Sequence, residues 1–263
     1  MAEHISGSED AFVAKMNEKA QVLGMKHTHF VNCCGLDADG HYTSARDIAL
    51  MSRELITNHP DIFHYTTIWM ENITHVTKRG ESEFGLSNTN KLIRTYKGAT
   101  GLKTGSTSLA LYNLSASATR DGLSLIAVIM KAPSTKIRFS EAQKLLDYGF
   151  NTFSFKQFGK KGDVVKNISI DKGVPSNVDA ILETDAGTLI EKGKDKNIEQ
   201  TLTFEENISA PISKGQKLGE ITFTLDGKIL SSINIVAQNN VEKTNLFSMA
   251  KKIYYSWIDL LRS

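Results

Sequence analysis

The chain has 263 residues, which is enough for two modest domains. Hydrophobic residues make up 40% of it and charged residues 23%, ordinary proportions for a globular protein. The net charge is only +2 and the basic residues are interleaved with acidic ones, so we predict no nucleic-acid partner. No apolar run reaches the length of about 18 residues that predicts a transmembrane helix.

The start of the chain does not look like an export signal. Residues 1–6 have no basic start and no apolar core, so no signal peptide is predicted there. Residues 1–5 instead favour the end of a helix that is already under way. We therefore expect Met1 to be an internal position of a longer protein.

Two helices are predicted in the first part of the chain. Ser8 is placed to cap a helix over about residues 9–23, whose apolar residues fall on one face. Ser44 begins a second helix that runs to about residue 58. In that helix Asp47 occupies the acidic position of a capping box, where a Glu is usual.

The next part of the chain predicts strands that lead into one more helix. Asp121-Gly122 lies between two β-rich runs and predicts a hairpin. The predicted segments are strands at about residues 65–79, 100–104, 112–118 and 123–130, and a helix at about 136–153.

After about residue 158 the pattern changes to short strands only. Asp226-Gly227 is a second hairpin signal. Several short strands at close spacing predict a small β-sandwich, with the domain boundary near residue 155. The strand patterns lie at residues 164–170, 180–182, 201–204, 221–224 and 229–236.

Four stretches of the chain together resemble one enzyme family. Lys103-Thr104-Gly105 followed by Ser or Thr is the third motif of the penicillin-binding, active-site-serine enzymes. Its neighbourhood resembles the serine-type D-alanyl-D-alanine carboxypeptidases, the low-molecular-mass penicillin-binding proteins of peptidase family S11, over nearly the whole chain. The other stretches that carry the resemblance are residues 32–49, which contain Gly-Leu-Asp and His-Tyr-Thr-Ser-Ala-Arg-Asp-Ile-Ala, residues 88–92 and residues 141–150.

The resemblance implies an α+β architecture. Residues 1–155 would form a partial transpeptidase/β-lactamase-like domain, with an antiparallel sheet flanked by helices. Residues 156–240 would form a small all-β sandwich domain. Residues 241–263 would form a C-terminal amphipathic helix that anchors the protein to a membrane.

The resemblance also implies a substrate, a peptidoglycan stem peptide that ends in D-Ala-D-Ala, and β-lactams as ligands of the full-length protein. Lys103 would supply a cation for the terminal carboxylate, and Thr104, Ser106 and Thr107 would supply hydroxyl groups. Gly105 would let the substrate approach the strand closely, so that the extended peptide pairs with the strand edge. No cofactor and no metal are implied.

Asn88 and Asn90 precede this strand and permit two interpretations. They would line the same cleft as substrate-binding residues, or they would anchor a polar turn. His41, with Asp37 and Asp39, suggests an acid–base group, but the resemblance implies a structural loop near the cleft there, and we favour that interpretation.

The catalytic groups of the family are absent from the sequence given. Family members carry a nucleophile motif Ser-x-x-Lys and a second motif Ser-x-Asn before Lys-Thr-Gly, and neither occurs before Lys103. Ser169 and Ser248 begin Ser-x-x-Lys strings, and Ser232 begins a Ser-x-Asn string. All three follow Lys103, in the wrong order, so no catalytic residue is assigned and the chain alone is expected to be inactive.

The C-terminal segment is predicted to be an amphipathic helix. Between residues 246 and 261 the apolar side chains form one broad face, with aromatic groups on it and cations opposite. We expect residues 244–263 to bind a membrane surface. The alternative is a helix that packs on the protein's own β domain or in a dimer.

The resemblance implies a protein at the outer face of the cytoplasmic membrane, with its signal peptide in a missing N-terminal part. Its function would be to remove the terminal D-Ala of stem peptides through an acyl-enzyme. Two alternatives stay open: a non-catalytic module that binds peptidoglycan or a partner, and one half of a split enzyme.

Overall fold

An antiparallel sheet flanked by helices organises the first part of the chain. The structure, a computed structural model, describes residues 1–78, 80–194 and 197–244. The chain divides into two units, Met1–Thr152 and a second one that begins at Phe153. No helix within the described ranges is long and apolar enough to cross a membrane. Residues 245–263, which carry the predicted membrane-binding face, lie outside the described residues.

The first unit combines short and long helices with two small sheets. A 3₁₀ turn at Pro60–Ile62 follows the third helix. The helices are α1 (Ala2–Ser6), α2 (Glu9–Val22), α3 (Ala45–Asn58), α4 (Phe63–Thr66), α5 (Leu92–Thr95) and α6 (Thr135–Thr152). The strands are β1 (Met70–Thr77), β2 (Gly80–Ser87), β3 (Ala99–Thr107), β4 (Leu111–Arg120) and β5 (Leu123–Ala132).

Strands β3, β4 and β5 form one antiparallel sheet in that order, with β3 at its edge. The predicted hairpin between β4 and β5 is confirmed, because Asp121 and Gly122 both adopt positive φ angles, 49° and 78°, as a two-residue turn requires. The predicted strand at 100–104 is also present, although it runs three residues further, to Thr107.

Helices α3 and α6 pack on opposite faces of this sheet. The buried hydroxyl of Ser115 on β4 hydrogen-bonds Ser52 of α3, with their oxygens 2.7 Å apart. The next residue, Ala116, points to the other face because side chains alternate along a strand. On that face Leu125 lies so close to Gly149 of α6 that a Cβ there would be 2.5 Å from a Leu125 methyl carbon.

Both predicted serine caps are present at the helix starts, but the predicted capping box of the second helix is not. Ser8 accepts a hydrogen bond from the backbone N–H of Ala11, and Ser44 accepts one from the N–H of Asp47, so both caps are confirmed. The Asp47 carboxylate, however, does not complete a capping box. It turns inward and accepts hydrogen bonds from the His27 N–H and the Thr28 hydroxyl, both at 2.7 Å.

The segment predicted as a strand at 65–79 was only partly right. Its first two residues complete α4, and the strand β1 begins at Met70. It pairs with β2 over eight residues in an antiparallel hairpin whose side chains are all exposed. The sequence did not predict β2, because alternating Gly, Ser and Glu give a weak strand signal.

The second unit is built mainly from strands. The strands are β6 (Phe153–Gly159), β7 (Val164–Ser169), β8 (Gly173–Val174), β9 (Asn177–Leu182), β10 (Ala186–Glu191), β11 (Ile198–Phe204), β12 (Lys217–Leu225), β13 (Lys228–Ala237) and β14 (Glu242–Lys243). A five-stranded sheet has the order β11-β12-β13-β9-β7, and the two smaller pairs are β10-β6 and β14-β8. The predicted Asp226-Gly227 hairpin is confirmed between β12 and β13.

A continuous apolar core fills this β unit. The ring of Phe223 is 2% exposed and stacks on Phe158 with ring centres 4.1 Å apart. Alternate residues of β12 and β13 face this core, which explains the period-two pattern seen in the sequence. Other core residues are Ile170, Val178, Ala180, Leu182, Leu218, Ile221, Ile235 and Val241.

Replacing Asp47 by Ala should destabilise the first unit. The substitution removes the buried Asp47 carboxylate that accepts from the His27 N–H and the Thr28 hydroxyl, and hydrogen bonds to a charged group are worth roughly 1.5–3 kcal/mol each. We expect the free energy of unfolding in urea to fall by about 3 kcal/mol. The same change at the exposed Glu18, which makes no ion pair among the described residues, is the matched control and should alter it by less than about 0.5 kcal/mol.

The same carboxylate predicts the pH dependence of stability. Its hydrogen bonds hold the pKa of Asp47 below the usual value, against the opposing effect of burial. Its contribution should therefore be complete above the unfolded pKa of about 3.9 and disappear as the pH falls through the lowered folded-state pKa. An Asp47→Ala variant whose loss of stability is unchanged below that range would contradict this assignment.

Candidate functional site

The site is built on the open edge of β3. One side of this strand pairs with β4. The first part of its other side is covered, because the Thr66 hydroxyl donates to the Thr100 carbonyl at 2.6 Å and the Asn90 amide donates to the Gly101 carbonyl at 2.9 Å. Over residues 103–107 that edge pairs with no strand of the described ranges.

A groove of about 1050 Å³ lies between α3 and the face of the sheet, and residues of β3, β4 and β5 all line it. Its walls are mainly apolar, and Lys103, Thr104 and Gly105 lie along its border. Among its apolar lining residues are Leu23, Ile48, Met51, Leu55, Val128 and Met130. Native interiors rarely contain open space of this size, so the groove has room for another group or segment.

Lys103 carries the positive charge of the strand. Its side chain is exposed, and its ammonium group donates to the neighbouring Thr104 carbonyl at 2.5 Å. It forms no ion pair with any carboxylate in the described part of the chain. An ammonium group without a counter-ion at the border of an apolar groove can bind an anionic ligand.

Two hydroxyl groups follow Lys103 along the strand, and they differ in burial and in hydrogen bonding. Thr104 is buried, and its hydroxyl shares a hydrogen bond with the Thr89 hydroxyl at 2.6 Å. Because each hydroxyl has one proton, whichever group accepts in this pair still has a proton to donate. Ser106 is exposed, and its hydroxyl has no hydrogen-bond partner among the residues described.

Gly105 lies between these groups and faces open space. A Cβ placed there would meet no protein atom within 4 Å, so a ligand along the strand edge would approach the backbone directly. Ordinary backbone geometry is retained at this position, since Gly105 has no positive φ angle. Its value to the site is therefore the absence of a side chain.

The Thr107 hydroxyl is already engaged within the protein. It donates to the Asp37 carboxylate at 2.6 Å and accepts from the Ala110 N–H at 3.0 Å. Asp37 also accepts from the Ser108 hydroxyl and the Leu109 N–H. These donors hold the pKa of the Asp37 carboxyl below its usual value, the Thr107 hydroxyl most strongly.

Asn88 and Asn90 use their amides inside the turn before β3. The Asn88 side chain donates to the Thr66 and Ile68 carbonyls and accepts from the Asn90 N–H. Asn90 is 1% exposed, and its side chain joins Gly101 to the N–H of Leu92. This geometry corresponds to the polar-turn alternative, and a role of either amide in substrate binding stays a prediction.

A buried arginine behind the strand was missed by the sequence analysis. Arg138 of α6 is 5% exposed, donates to the carbonyls of Gly105 and Asn113, and lies over the rings of Tyr112 and Phe139. Burial lowers its pKa, and its Nε has no partner among the described residues. No local sequence signal marks this position as buried, so only the fold reveals it.

The loop with His41 has the structural contacts that were favoured for it. The His41 ring nitrogen accepts from the Val31 N–H at 3.2 Å, and the His29 ring contacts the Gly40 carbonyl at 2.8 Å. These bonds close the loop on itself. No group of three metal-binding side chains occurs within the described ranges.

The late Ser-x-x-Lys and Ser-x-Asn strings lie away from this strand in the sequence. Ser169 ends β7, so the helical turn that would bring Lys172 beside it is absent there. Ser232 lies on β13 and donates to Glu220, while Asn234 donates to Glu183. Ser248 lies outside the described residues.

Comparisons with known proteins agree with these features. The sequence profile of the D-alanyl-D-alanine carboxypeptidases, peptidase family S11, matches residues 1–134, and that of the penicillin-binding protein 5 C-terminal domain matches residues 153–243. D-alanyl-D-alanine carboxypeptidase DacF of Bacillus subtilis is 36% identical over 258 residues, and DacA of Escherichia coli is 33% identical over 262 residues. Each alignment covers 98% of this chain, which spans 65% and 63% of the two relatives' lengths.

Solved structures give the same assignment. The structure of penicillin binding protein 5 from Haemophilus influenzae matches with a TM-score of 0.69 at 33% identity, over 92% of this chain and 69% of that protein. Penicillin binding protein 6B from Escherichia coli matches with a TM-score of 0.62 at 30% identity, over 89% of this chain and 62% of the other. The partial carboxypeptidase-like domain and the C-terminal β domain are thus confirmed, and the chain belongs to the D-alanyl-D-alanine carboxypeptidase family, peptidase family S11.

Proposed function

We propose that this chain forms the substrate-holding part of a serine-type D-Ala-D-Ala carboxypeptidase. The enzyme removes the terminal D-Ala from peptidoglycan stem peptides through an acyl-enzyme, and β-lactams bind the same site. The observation that carries the proposal is the Lys103 ammonium group, which has no carboxylate partner in the described ranges and borders a groove beside an open strand edge. The family relationship supports the reaction type.

The substrate would bind as an added strand on β3. Its backbone would pair with the free edge over residues 103–107, which is the geometry of β-augmentation. The terminal carboxylate would form an ion pair with the Lys103 ammonium group and accept hydrogen bonds from the hydroxyl groups of Thr104 and Ser106. Gly105 leaves space for the peptide to lie against the strand.

Arg138 would strengthen anion binding from behind the strand. Its guanidinium group contacts the Gly105 carbonyl, and no described carboxylate pairs with it. A buried charge is poorly screened by water, so its field reaches the binding edge more effectively than that of a surface cation. The two cations together favour a ligand with a free carboxylate over a neutral one.

Replacing Lys103 by Met should abolish most of the binding of N-acetyl-D-Ala-D-Ala. The change keeps the length of the side chain and removes its charge, so we expect an affinity loss of at least about tenfold. The measurement is an NMR titration of the chain, in which the wild-type amides of residues 103–107 should shift. The C-terminal amide of the same dipeptide, which lacks the carboxylate, should cause no shift.

Lys97→Met is the matched control for this experiment. Lys97 is exposed, lies just before the same strand and makes no side-chain contact with an acid among the described residues. Its removal changes the net charge equally and should leave the affinity within about twofold. Equal losses in the two variants, or equal binding of the acid and the amide, would contradict a carboxylate site at Lys103.

We propose further that the nucleophile comes from outside these 263 residues. No Ser-x-x-Lys or Ser-x-Asn string precedes Lys103 in the sequence given, whereas the family mechanism requires a serine activated by a lysine one helical turn later. Two observations support this proposal: about one third of the length of each relative lies outside the matched region, and the apolar groove that β3 helps to line has room for an additional segment.

The chain by itself should therefore not be acylated by benzylpenicillin. Intact-mass spectrometry should show no adduct, because the electrophilic carbonyl meets no activated serine. Adding a polypeptide that carries the family's Ser-x-x-Lys and Ser-x-Asn motifs should produce a single adduct on the added polypeptide. The same polypeptide with its Ser-x-x-Lys serine changed to Ala is the control.

An adduct on the chain alone would show that its nucleophile lies within these residues. If the chain binds the dipeptide but no adduct forms, either on the chain alone or in the mixture, the result would instead favour the non-catalytic binding module. An adduct that forms only in the mixture would favour a function that needs both parts.

We also propose that the protein works at the outer face of the cytoplasmic membrane and that residues 244–263 hold it there. The support is the amphipathic pattern of the sequence, which combines aromatic groups on the apolar side with cations opposite. The full chain should float with liposomes that contain anionic lipid, and a chain shortened after Lys243 should remain in the soluble fraction. Equal flotation of the two would overturn the anchor.

A further inference from the structure

The turn that follows the binding strand is fastened from a distant part of the chain. Asp37 lies about 70 residues before it and receives three hydrogen bonds there. The Thr107 hydroxyl donates at 2.6 Å, the Ser108 hydroxyl at 3.2 Å and the Leu109 N–H at 3.3 Å. All three donors belong to the end of β3 and the turn into β4.

The turn itself has little else to hold it against the rest of the unit. Leu109 is 72% exposed, so apolar packing contributes little there. Asn113 donates to the Ala110 and Leu111 carbonyls and accepts from the Lys131 N–H, but these contacts stay within the same sheet and its turn. Among the described hydrogen bonds, Asp37 is the side chain from a separate element that contacts residues 107–109 directly, whereas Arg138 reaches only the flanking Gly105 and Asn113 carbonyls.

The loop that carries Asp37 is closed by bonds of its own. Asn32 accepts from the Gly35 N–H and donates to the Leu36 carbonyl. Ser44, further along, caps α3 and fixes the loop's exit. A carboxylate on so constrained a loop can set the position of whatever it binds.

The Asp37 carboxylate is an unfavourable neighbour for an anionic ligand, so its presence here calls for a different role. It lies at the end of a strand whose other groups suit an anionic ligand, and a nearby negative charge opposes such a ligand. Three donors directed at Asp37 disperse that charge. One of these donors is the Thr107 hydroxyl, which the sequence predicted to contact the substrate. Its proton is already used in the hydrogen bond to Asp37.

We propose that Asp37 is a positioning residue that sets the end of the binding strand, and that Thr107 acts as part of this tether rather than as a ligand of the substrate carboxylate. The proposal rests on the proposed function of the strand. The carboxylate of the substrate would then bind the side chains of Lys103, Thr104 and Ser106 only. Without the tether, the end of β3 at Thr107 would be held by its pairing with β4 but no longer by the loop that carries Asp37.

The test compares Asp37→Ala with Asp37→Asn in the full chain. Hydrogen exchange at the Leu109 and Ala110 amides should become faster in the Ala variant, and N-acetyl-D-Ala-D-Ala should bind about tenfold more weakly. The Asn variant keeps a side-chain oxygen for the Thr107 hydroxyl and should retain most of the protection and affinity. Asp39→Ala, an exposed change in the same loop, should alter neither quantity.

A second pair keeps the proposal testable if the Asp37→Ala chain does not fold, as its melting temperature would show. Thr107→Ser retains the tether hydroxyl and should bind as the wild type does, whereas Thr107→Val removes it and should reproduce the loss. Unchanged amide exchange in Asp37→Ala and Thr107→Val, or faster exchange with unchanged affinity, would overturn the positioning role. A wild-type chain that does not bind the dipeptide would instead overturn the anion site itself.

Discussion

The hydrogen bonding of one strand governs the first unit. β3 is satisfied by β4 on one side, and on the other side only its first residues are covered, by Thr66 and Asn90. Backbone groups without partners are tolerated only where water or a ligand reaches them. The same strand is therefore held firmly at its start and left available at its end. That division places Lys103 and Gly105 where an extended ligand can meet them.

Most polar residues around this strand serve its geometry rather than its chemistry. Asn88, Asn90 and Asp47 direct their hydrogen bonds to nearby backbone groups and side chains, and their burial requires such partners. By contrast, Lys103 and Ser106 have polar groups that the described residues leave available. The candidate site thus consists of the polar groups that still lack a hydrogen-bond or ion-pair partner among the described residues once the scaffold has formed.

Much of this arrangement was predictable from local sequence. The caps at Ser8 and Ser44 and the two Asp-Gly hairpins depend on short-range geometry, and all four are present. The long-range contacts were not predictable. Asp47 matched a capping box by spacing, but its carboxylate turned to a segment 20 residues earlier, because burial there gave it two donors. Spacing cannot show which of two possible partners is nearer in the fold.

The site was predictable to a similar extent. A motif identified Lys103, Thr104 and Gly105, whereas Arg138 escaped notice because its role depends on packing behind a strand residue 33 positions earlier. The commitment of Thr107 to Asp37 was equally invisible, since it joins residues 70 positions apart. The strands β6 and β10 were missed because their mixed polar and apolar residues lack strict alternation.

The hairpin of β1 and β2 bears on where the chain can change in length. Its sixteen paired residues are exposed on both faces, so no core position constrains their size. Its base is fixed by the Asn88 N–H, which donates to the Trp69 carbonyl at 2.8 Å, just before the binding strand. Residues can accordingly be gained or lost between Thr77 and Gly80 without displacing β3. The hairpin is a natural place for members of the family to differ in length, and a suitable position for a genetically inserted label that leaves the strand undisturbed.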